Sequence, residues 1–424
     1  MQPAAPGGRI EILDILRGIA VLGILLMNIN GMGLPSAAYL NPAVYGGATG
    51  ADGAWWLFSH IFLDGKMRTL FTLLFGAGLI ILTERAEARE GSSWWLYFRR
   101  SLVLVVFGAL HGQILWWGDV LYHYAICGLL AYWARRWRPT LLFLTGVLFL
   151  VLDIGMYQAG AFKYSLILGE LERVESAAGA AGARKSGEQK KHDAYRKAVE
   201  QLSPSSTTLE AQIAERRGRG SAIRYNTRGA RRLETVEFYQ LFFDVMGMML
   251  CGMALAKWGV LTGERSGSFY RRLAAVGFAA GVPVLCWSGI TWMQQGFPLV
   301  GFFRYAGLTV GFGRLSLGLA YVSLVILMKR RGAAPRVLGL LGKAGQMALT
   351  NYVLTSALTL FLFSGFGFQW FARFSRVELV GVVLPIWLIL LLLSHWWLLR
   401  YRFGPLEWIW RSATYGTWQS MRLR

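Results

Sequence analysis

Apolar residues along this chain gather in blocks of roughly 20 instead of alternating with polar ones, the length an α-helix needs to cross a bilayer core. Ten such blocks predict spans at about 11–33, 55–83, 99–117, 119–134, 139–159, 238–258, 272–294, 304–328, 342–364 and 378–400. The second divides into a short lead-in helix, Ala54 to Leu63, and a longer one from Met67. The fourth is short enough to be partly re-entrant. The fold class expected is all-α: a polytopic transmembrane helix bundle of about ten spans. Residues 1–160 would hold spans 1–5, 161–237 a charged and partly helical extracytoplasmic insertion, 238–400 spans 6–10, and 401–424 a cytoplasmic amphipathic tail.

Basic residues punctuate alternate loops. Arg85, Arg89, Arg99 and Arg100 lie between spans two and three, and Arg135, Arg136 and Arg138 between four and five. Lys257, Arg265, Arg271 and Arg272 follow span six, Lys329, Arg330, Arg331 and Arg336 span eight, and Arg400, Arg402 and Arg411 span ten. The intervening loop 34–54 has one aspartate and no base, and 295–303 carries no charge. Lysine and arginine mark the cytoplasmic side, so both termini are expected there. Lys163 to Arg232 then falls outside, and its bases are no objection because long loops translocate largely regardless of charge. Within it Glu170 to Val174 and Gln189 to Leu202 read as helical, and the rest, including 203–208, as mobile. The insertion is either a flexible segment without chemistry or a cap over an outward-facing site. Arg9 precedes Ile10 to Gly33, a run too long for a signal-peptide core and without a clear small-residue cleavage site. It reads as the first membrane helix.

Composition fits this picture. Of 424 residues 55% are hydrophobic, and 18 tryptophans with 25 phenylalanines exceed what a soluble domain of this size carries. The net charge of +21 would suggest nucleic acid in a soluble chain. Here it is accounted for by inner loops meeting anionic lipid headgroups, and no nucleic-acid partner is expected. Cys127, Cys251 and Cys286 lie far apart in apolar segments without metal-ligand spacing, so no metal is expected. The location implied is a bacterial inner (cytoplasmic) membrane, multi-pass.

Polar groups inside apolar helices are costly unless paired or useful. Asp14 and Arg17 share a face of the first span, with Asn28 about three turns on. They form either a bundle-stabilising ion pair or a seat for an anionic ligand on Arg17, with Asn28 donating deeper in. Lys66 and Arg68 are either an interfacial cluster or basic groups at a site mouth. His111 lies in the third span, and Gly118-Asp119 turns the chain back toward it. Asp119 is therefore an N-cap of span four, or a carboxylate that orients His111 as a general base. His123 competes for the same carboxylate. Thr350, Asn351 and Tyr352 open span nine, and Glu407 precedes Arg411 by a pairable four residues.

Six stretches, LDILRGIAVLGILLMNI, GKMRTLFTLLFGAGL, FGALHGQILWWGDVLYHYAICGLL, MGMMLCGMAL, GQMALTNY and GPLEWIWR, run in order from residue 13 to about 416. Together they resemble the DUF418 (YeiB-like) family of bacterial membrane proteins. That family is similar to the transmembrane acyltransferase superfamily, which includes acyltransferase-3 proteins and heparan-alpha-glucosaminide N-acetyltransferase. The resemblance implies transfer of an acyl group from cytoplasmic acyl-CoA (acetyl-CoA) to a periplasmic acceptor, a saccharide or an amine. Acyltransferase-3 proteins carry an arginine and a histidine with ten residues between them in the first helix. The corresponding positions here are Arg17 and Asn28, so the histidine is replaced. His111 inherits the catalytic candidacy, oriented by Asp119, with Asn28 as an oxyanion donor. Arg17, Arg99 and Arg100 would bind the CoA phosphates. Lys66, Arg68, Asn351 and Tyr352 would contact substrate. Membrane lipids are further partners, and a homodimer is compatible with the sequence. The rival readings are a small-molecule or lipid-linked transporter or flippase, and a membrane sensor or scaffold.

Overall fold

A computed structural model describes residues 10–178, 186–235 and 237–423. Among them regular structure is helical throughout, apart from one isolated bridge between Tyr401 and Arg422. The first half holds α1 (Glu11–Gly33), α2 (Ser36–Leu40), α3 (Gly50–Phe62), α4 (Lys66–Glu90), α5 (Trp94–Ile114), α6 (Leu121–Ala131) and α7 (Pro139–Ala178). Next come α8 (Ser186–Leu202), α9 (Ser206–Arg217) and α10 (Arg219–Glu234). The second half holds α11 (Phe238–Lys257), α12 (Gly267–Gln294), α13 (Leu299–Leu308) and α14 (Arg314–Arg330), with one π turn between the last two. The chain ends with α15 (Pro335–Gln346), α16 (Ala348–Phe363), α17 (Arg376–Leu398) and α18 (Pro405–Tyr415).

Six described segments are long and apolar enough to cross a membrane: Glu11–Gly33, Gly50–Arg89, Pro139–Arg173, Gly267–Gln294, Gly311–Arg330 and Arg376–Leu398. The pair α15 and α16 makes a seventh if read as one span, bent by 83°. The protein is a multi-pass membrane protein. The three remaining apolar blocks of the sequence correspond to α5, α6 and α11, which fall outside this set. The 11 residues of α6 extend about 16 Å, well short of a bilayer core.

Lipid-facing surfaces are visible as exposed apolar residues at helical spacing. Leu102, Val106, Leu110 and Ile114 line the outside of α5, and Leu141, Leu144, Leu148 and Val151 that of α7. On α17 Leu384, Leu388 and Leu392 do the same. A soluble monomer seldom exposes such stripes.

Inside, α1 is the central helix and is buried along most of its length. It meets α15 backbone to backbone. A methyl group on Gly18 would collide with the Leu341 carbonyl, and one on Gly345 with the Asp14 carbonyl. Small residues at such crossings bring membrane helices within van der Waals reach.

The insertion is more ordered than its composition predicts. Helix α7 continues to Ala178, and α8, α9 and α10 follow. Residues 179–185, part of the stretch expected to be mobile, lie outside the described residues. The 203–208 stretch starts a helix, because the Ser205 hydroxyl caps α9 by accepting from the Thr208 N–H at 3.4 Å. Helices α9 and α10 are then latched to the bundle. Asn226 Nδ2 donates to the Leu115 carbonyl at 2.9 Å, and its Oδ1 accepts from buried Arg216 at 2.9 Å. Arg217 Nη2 donates to the Phe371 carbonyl at 2.7 Å, and Arg219 Nε to the Gly365 carbonyl at 2.8 Å. The polar composition that suggested mobility is directed at backbone carbonyls of the bundle's loops.

Candidate functional site

The site is built where α5 turns into α6. Helix α5 ends as the Leu115 and Trp116 N–H groups both reach the His111 carbonyl, at 2.9 and 3.1 Å. The chain reverses through Gly118 and Asp119, and α6 begins at Leu121. Sequence reasoning left Asp119 as either a cap or a partner for His111. It is both, with one oxygen for each role. Oδ2 accepts from the Tyr122 N–H at 2.8 Å, closing the first turn of α6. Oδ1 lies 2.8 Å from His111 Nδ1, off the straight line of an ideal hydrogen bond. The Tyr352 hydroxyl donates to the same Oδ1 at 3.3 Å. Gly108 makes the reversal possible, since a methyl there would strike the Tyr122 nitrogen and come within 2.8 Å of Asp119 Oδ2. His123 does not compete for the carboxylate; its ring stacks on Phe238, with centroids 5.0 Å apart.

The other face of the imidazole meets α16. His111 Nε2 is 2.8 Å from Ser356 Oγ, and the Tyr352 ring lies against the imidazole at 4.6 Å. His111, Asp119 and Ser356 are all buried. A carboxylate beside Nδ1 favours the tautomer with its proton there, leaving Nε2 to accept from the serine hydroxyl. The result is a Ser–His–Asp array, an arrangement recognised by geometry and not by sequence order. Sequence reasoning missed Ser356. The signal was present, because Tyr352 and Ser356 stand four apart in an apolar helix and so share a face.

A cavity of about 560 Å³ opens at the opposite, basic end of these helices. Its walls carry Arg17, Arg85, Arg89, Arg100, Arg402 and Arg411. Arg17 is held 3.0 Å from Asp14, and Arg100 lies over the Trp410 ring at 3.8 Å. The deep end of the cavity includes Leu104, Leu121, Leu349 and Tyr352. These residues belong to α5, α6 and α16, the helices that position the array. Neither His111 nor Ser356 lines the cavity, so Tyr352 is the partition between the two compartments.

Helix α16 has an unusual origin. Glu407 of α18 reaches its first turn, where Oε1 accepts from the Leu349 and Thr350 N–H groups at 2.6 and 3.1 Å. Oε2 accepts from the Thr350 hydroxyl at 2.6 Å. A carboxylate from 57 residues away thus serves as the cap of α16 and seats Tyr352 and Ser356. The tail is therefore docked into the bundle, with Trp410 Nε1 donating to the Arg100 carbonyl at 2.9 Å.

The remaining expected site residues are elsewhere. Asn28 is half-buried on α1 and is not among the described polar partners of His111. Arg99 lies over Trp95, outside the cavity lining. Asn351 is engaged with the Ala344 carbonyl at 3.0 Å and Ser394 at 2.9 Å, which ties α16 to α15 and α17. Lys66 and Arg68 do not stand at a site mouth; both belong to a separate ionic cluster within the bundle. Buried Lys66 donates to the His60 carbonyl, and Arg68 Nη2 lies 2.5 Å from Asp244 Oδ2. Arg314 approaches the same carboxylate at 3.7 Å, and buried Asp153 faces Asp244, Arg314 and Arg68.

The cap helices roof the array. Helix α10 lies on the end of α5, with the Thr227 hydroxyl donating to the Gln113 carbonyl at 3.1 Å. Glu234, at its last turn, faces Asp119, and burial with that neighbouring charge pushes its carboxyl above the ordinary carboxylate range.

Sequence comparison decides the family. An uncharacterized protein of Escherichia coli K12, YeiB, is 33% identical over 412 residues, covering 95% of each chain. The chain belongs to the DUF418 family. The family model itself, described as a protein of unknown function, matches residues 255–417 of this DUF418 protein. That stretch holds Tyr352, Ser356 and Glu407, whereas His111 and Asp119 lie before it. The uncharacterized YxaH of Bacillus subtilis strain 168 is 26% identical over 99% of the DUF418 chain and 97% of its own. A 39.9 kDa protein encoded in the amylase 3′ region of Bacillus acidopullulyticus is 28% identical, covering 98% and 96%. No solved structure matches.

Proposed function

We propose that this protein is a transmembrane acyltransferase of the bacterial inner membrane. It takes an acyl group, acetyl in the simplest form, from cytoplasmic acyl-CoA and delivers it to a saccharide or amine on the periplasmic side. One observation carries the reading: the helices that close the deep end of the arginine-lined cavity also hold the His111–Asp119 pair. Guanidinium groups match phosphate geometry, so the cavity suits the phosphorylated end of the donor. From Arg100 to His111 is 11 residues of α5, about 16 Å along its axis. A thin acyl-bearing arm has to cover that depth and displace the Tyr352 side chain to reach the imidazole. There His111, held by Asp119, acts as the general base of the transfer.

The test uses detergent-purified protein and radiolabelled acetyl-CoA. The wild type is expected to bind it and to hydrolyse it slowly without an acceptor. His111→Ala is expected to lower turnover by at least about 100-fold while leaving binding intact. Arg100→Ala is expected to weaken binding. Absence of both binding and turnover in the wild type would overturn the proposal.

The buried cluster of Arg68, Asp153, Asp244 and Arg314 favours a second reading, a transporter or flippase, because intramembrane ion pairs mark substrate or proton paths. A transporter would move solute in sealed vesicles and lose that flux in Asp244→Asn, with no affinity for CoA.

A further inference from the structure

We infer that Ser356 is a nucleophile that carries the acyl group covalently between donor and acceptor, with His111 as its base and Asp119 holding His111. The inference rests on the acyltransferase reading for the identity of the donor, but the geometry of the array stands independently of it.

Three observations carry it. First, the spacing is that of a serine activated by an imidazole. Ser356 Oγ to His111 Nε2 is 2.8 Å, and His111 Nδ1 to Asp119 Oδ1 is 2.8 Å. A serine hydroxyl is a weak nucleophile alone and is activated by an adjacent base that a third group orients. Second, a serine placed only to satisfy its helix would bond the carbonyl four residues back. That bond, from Ser356 Oγ to the Tyr352 carbonyl, is present but long at 3.4 Å, and the imidazole at 2.8 Å is the closer partner. Third, Ser356 stands one turn beyond Tyr352 and two beyond Leu349 on the same face of α16. Those two residues line the deep end of the arginine cavity. Moving the Tyr352 ring off the imidazole therefore opens the cavity toward His111 and the Ser356 hydroxyl bonded to it.

The chemistry balances in two half-reactions. Ser356 Oγ bonds to the thioester carbonyl carbon while its proton passes to His111 Nε2. The carbon–sulfur bond breaks, and the leaving thiolate takes that proton from His111 to depart as the free thiol. An ester on Ser356 remains. An acceptor hydroxyl or amine then attacks the ester carbon and gives its proton to His111. The carbon–oxygen bond to Ser356 breaks, and the serine oxygen recovers the proton. A covalent carrier also explains how donor and acceptor can enter from opposite ends of α5 without meeting.

Two probes separate this inference from the reading beneath it. The full-length protein in detergent is incubated with acetyl-CoA, quenched in acid and digested, and peptides are examined by mass spectrometry. In parallel it is treated with a fluorophosphonate, which labels activated serines whatever their natural substrate. The expected result is one acetyl ester and one phosphonyl adduct, both on Ser356. Both should fall at least tenfold in His111→Ala and Asp119→Asn and be absent from Ser356→Ala. Ser356→Cys, which keeps a nucleophile, is expected to retain labelling as an acetyl thioester. That variant keeps the test decisive if Ser356→Ala folds poorly. Phosphonylation of Ser356 without acetyl-CoA turnover would remove the acyl-CoA donor and leave the nucleophile. Acetyl-CoA turnover with no adduct on Ser356, retained in a folded Ser356→Ala, would overturn the inference and leave the acyltransferase reading intact.

Discussion

Single residues here act through what they satisfy. Asp119 shows this best, since one oxygen closes a helix turn and the other faces an imidazole, so its two expected roles were never exclusive. Glu407 shows it at greater sequence distance. Its carboxylate is the cap of α16, although its sequence suggested a local pair with Arg411. Replacing it with alanine leaves two backbone N–H groups and the Thr350 hydroxyl without this acceptor. The expected loss is about 1–3 kcal/mol, the usual penalty for buried groups deprived of a partner. Unfolding of detergent-solubilised protein should show Glu407→Ala melting below Glu407→Gln, which retains one acceptor oxygen. Equal melting of the two variants would contradict the capping role.

Among the elements, the cap helices α9 and α10 convert an insertion into part of the site. They are fastened to the α5–α6 reversal through Asn226 and to the loop after α16 through Arg217 and Arg219. Those are the segments that flank His111 and Ser356, so displacement of the cap would uncover the array. Glu234 makes this docking sensitive to pH. Its carboxyl holds a proton to higher pH in the docked state than in an undocked chain. Docking is therefore favoured at low pH and weakens as pH rises through that raised value. Glu234→Gln fixes the neutral form. Amide exchange in α10 is expected to be slower in this variant than in wild type at alkaline pH, and the difference to shrink as pH falls. A variant indistinguishable from wild type across the whole pH series would remove the switch.

For the whole molecule, the arginine cavity and the cap stand at opposite ends of α5, which gives the bundle a direction. Charge asymmetry along the sequence predicts that the arginine loops face the cytoplasm. Single cysteines introduced at exposed Ser92 and Thr207 of a cysteine-free background test that orientation. In intact cells a membrane-impermeant maleimide is expected to label Thr207→Cys and to spare Ser92→Cys until the membrane is opened. The reverse pattern would place the arginine cavity outside and remove its access to a cytoplasmic donor.

The division between sequence and tertiary structure follows from the range of the forces involved. Apolar blocks, the Gly118-Asp119 reversal and the short α6 were legible from the chain, because helix length and turn chemistry are local. His111 and Asp119 were legible as a pair for the same reason, standing eight residues apart across one reversal. Ser356 stands 245 residues from His111, and no periodicity spans such a gap. Only the packing of α16 against α5 brought them together. The same holds for Arg68, which read as part of an interfacial cluster or a site mouth until the bundle set Asp244 beside it. In an apolar medium a buried charge must find its partner wherever the fold provides one. The sequence by itself determined the apolar helical blocks, though not the cap helices α9 and α10, and which residues are too polar to lie idle in a membrane. Tertiary structure alone decided which of them meet.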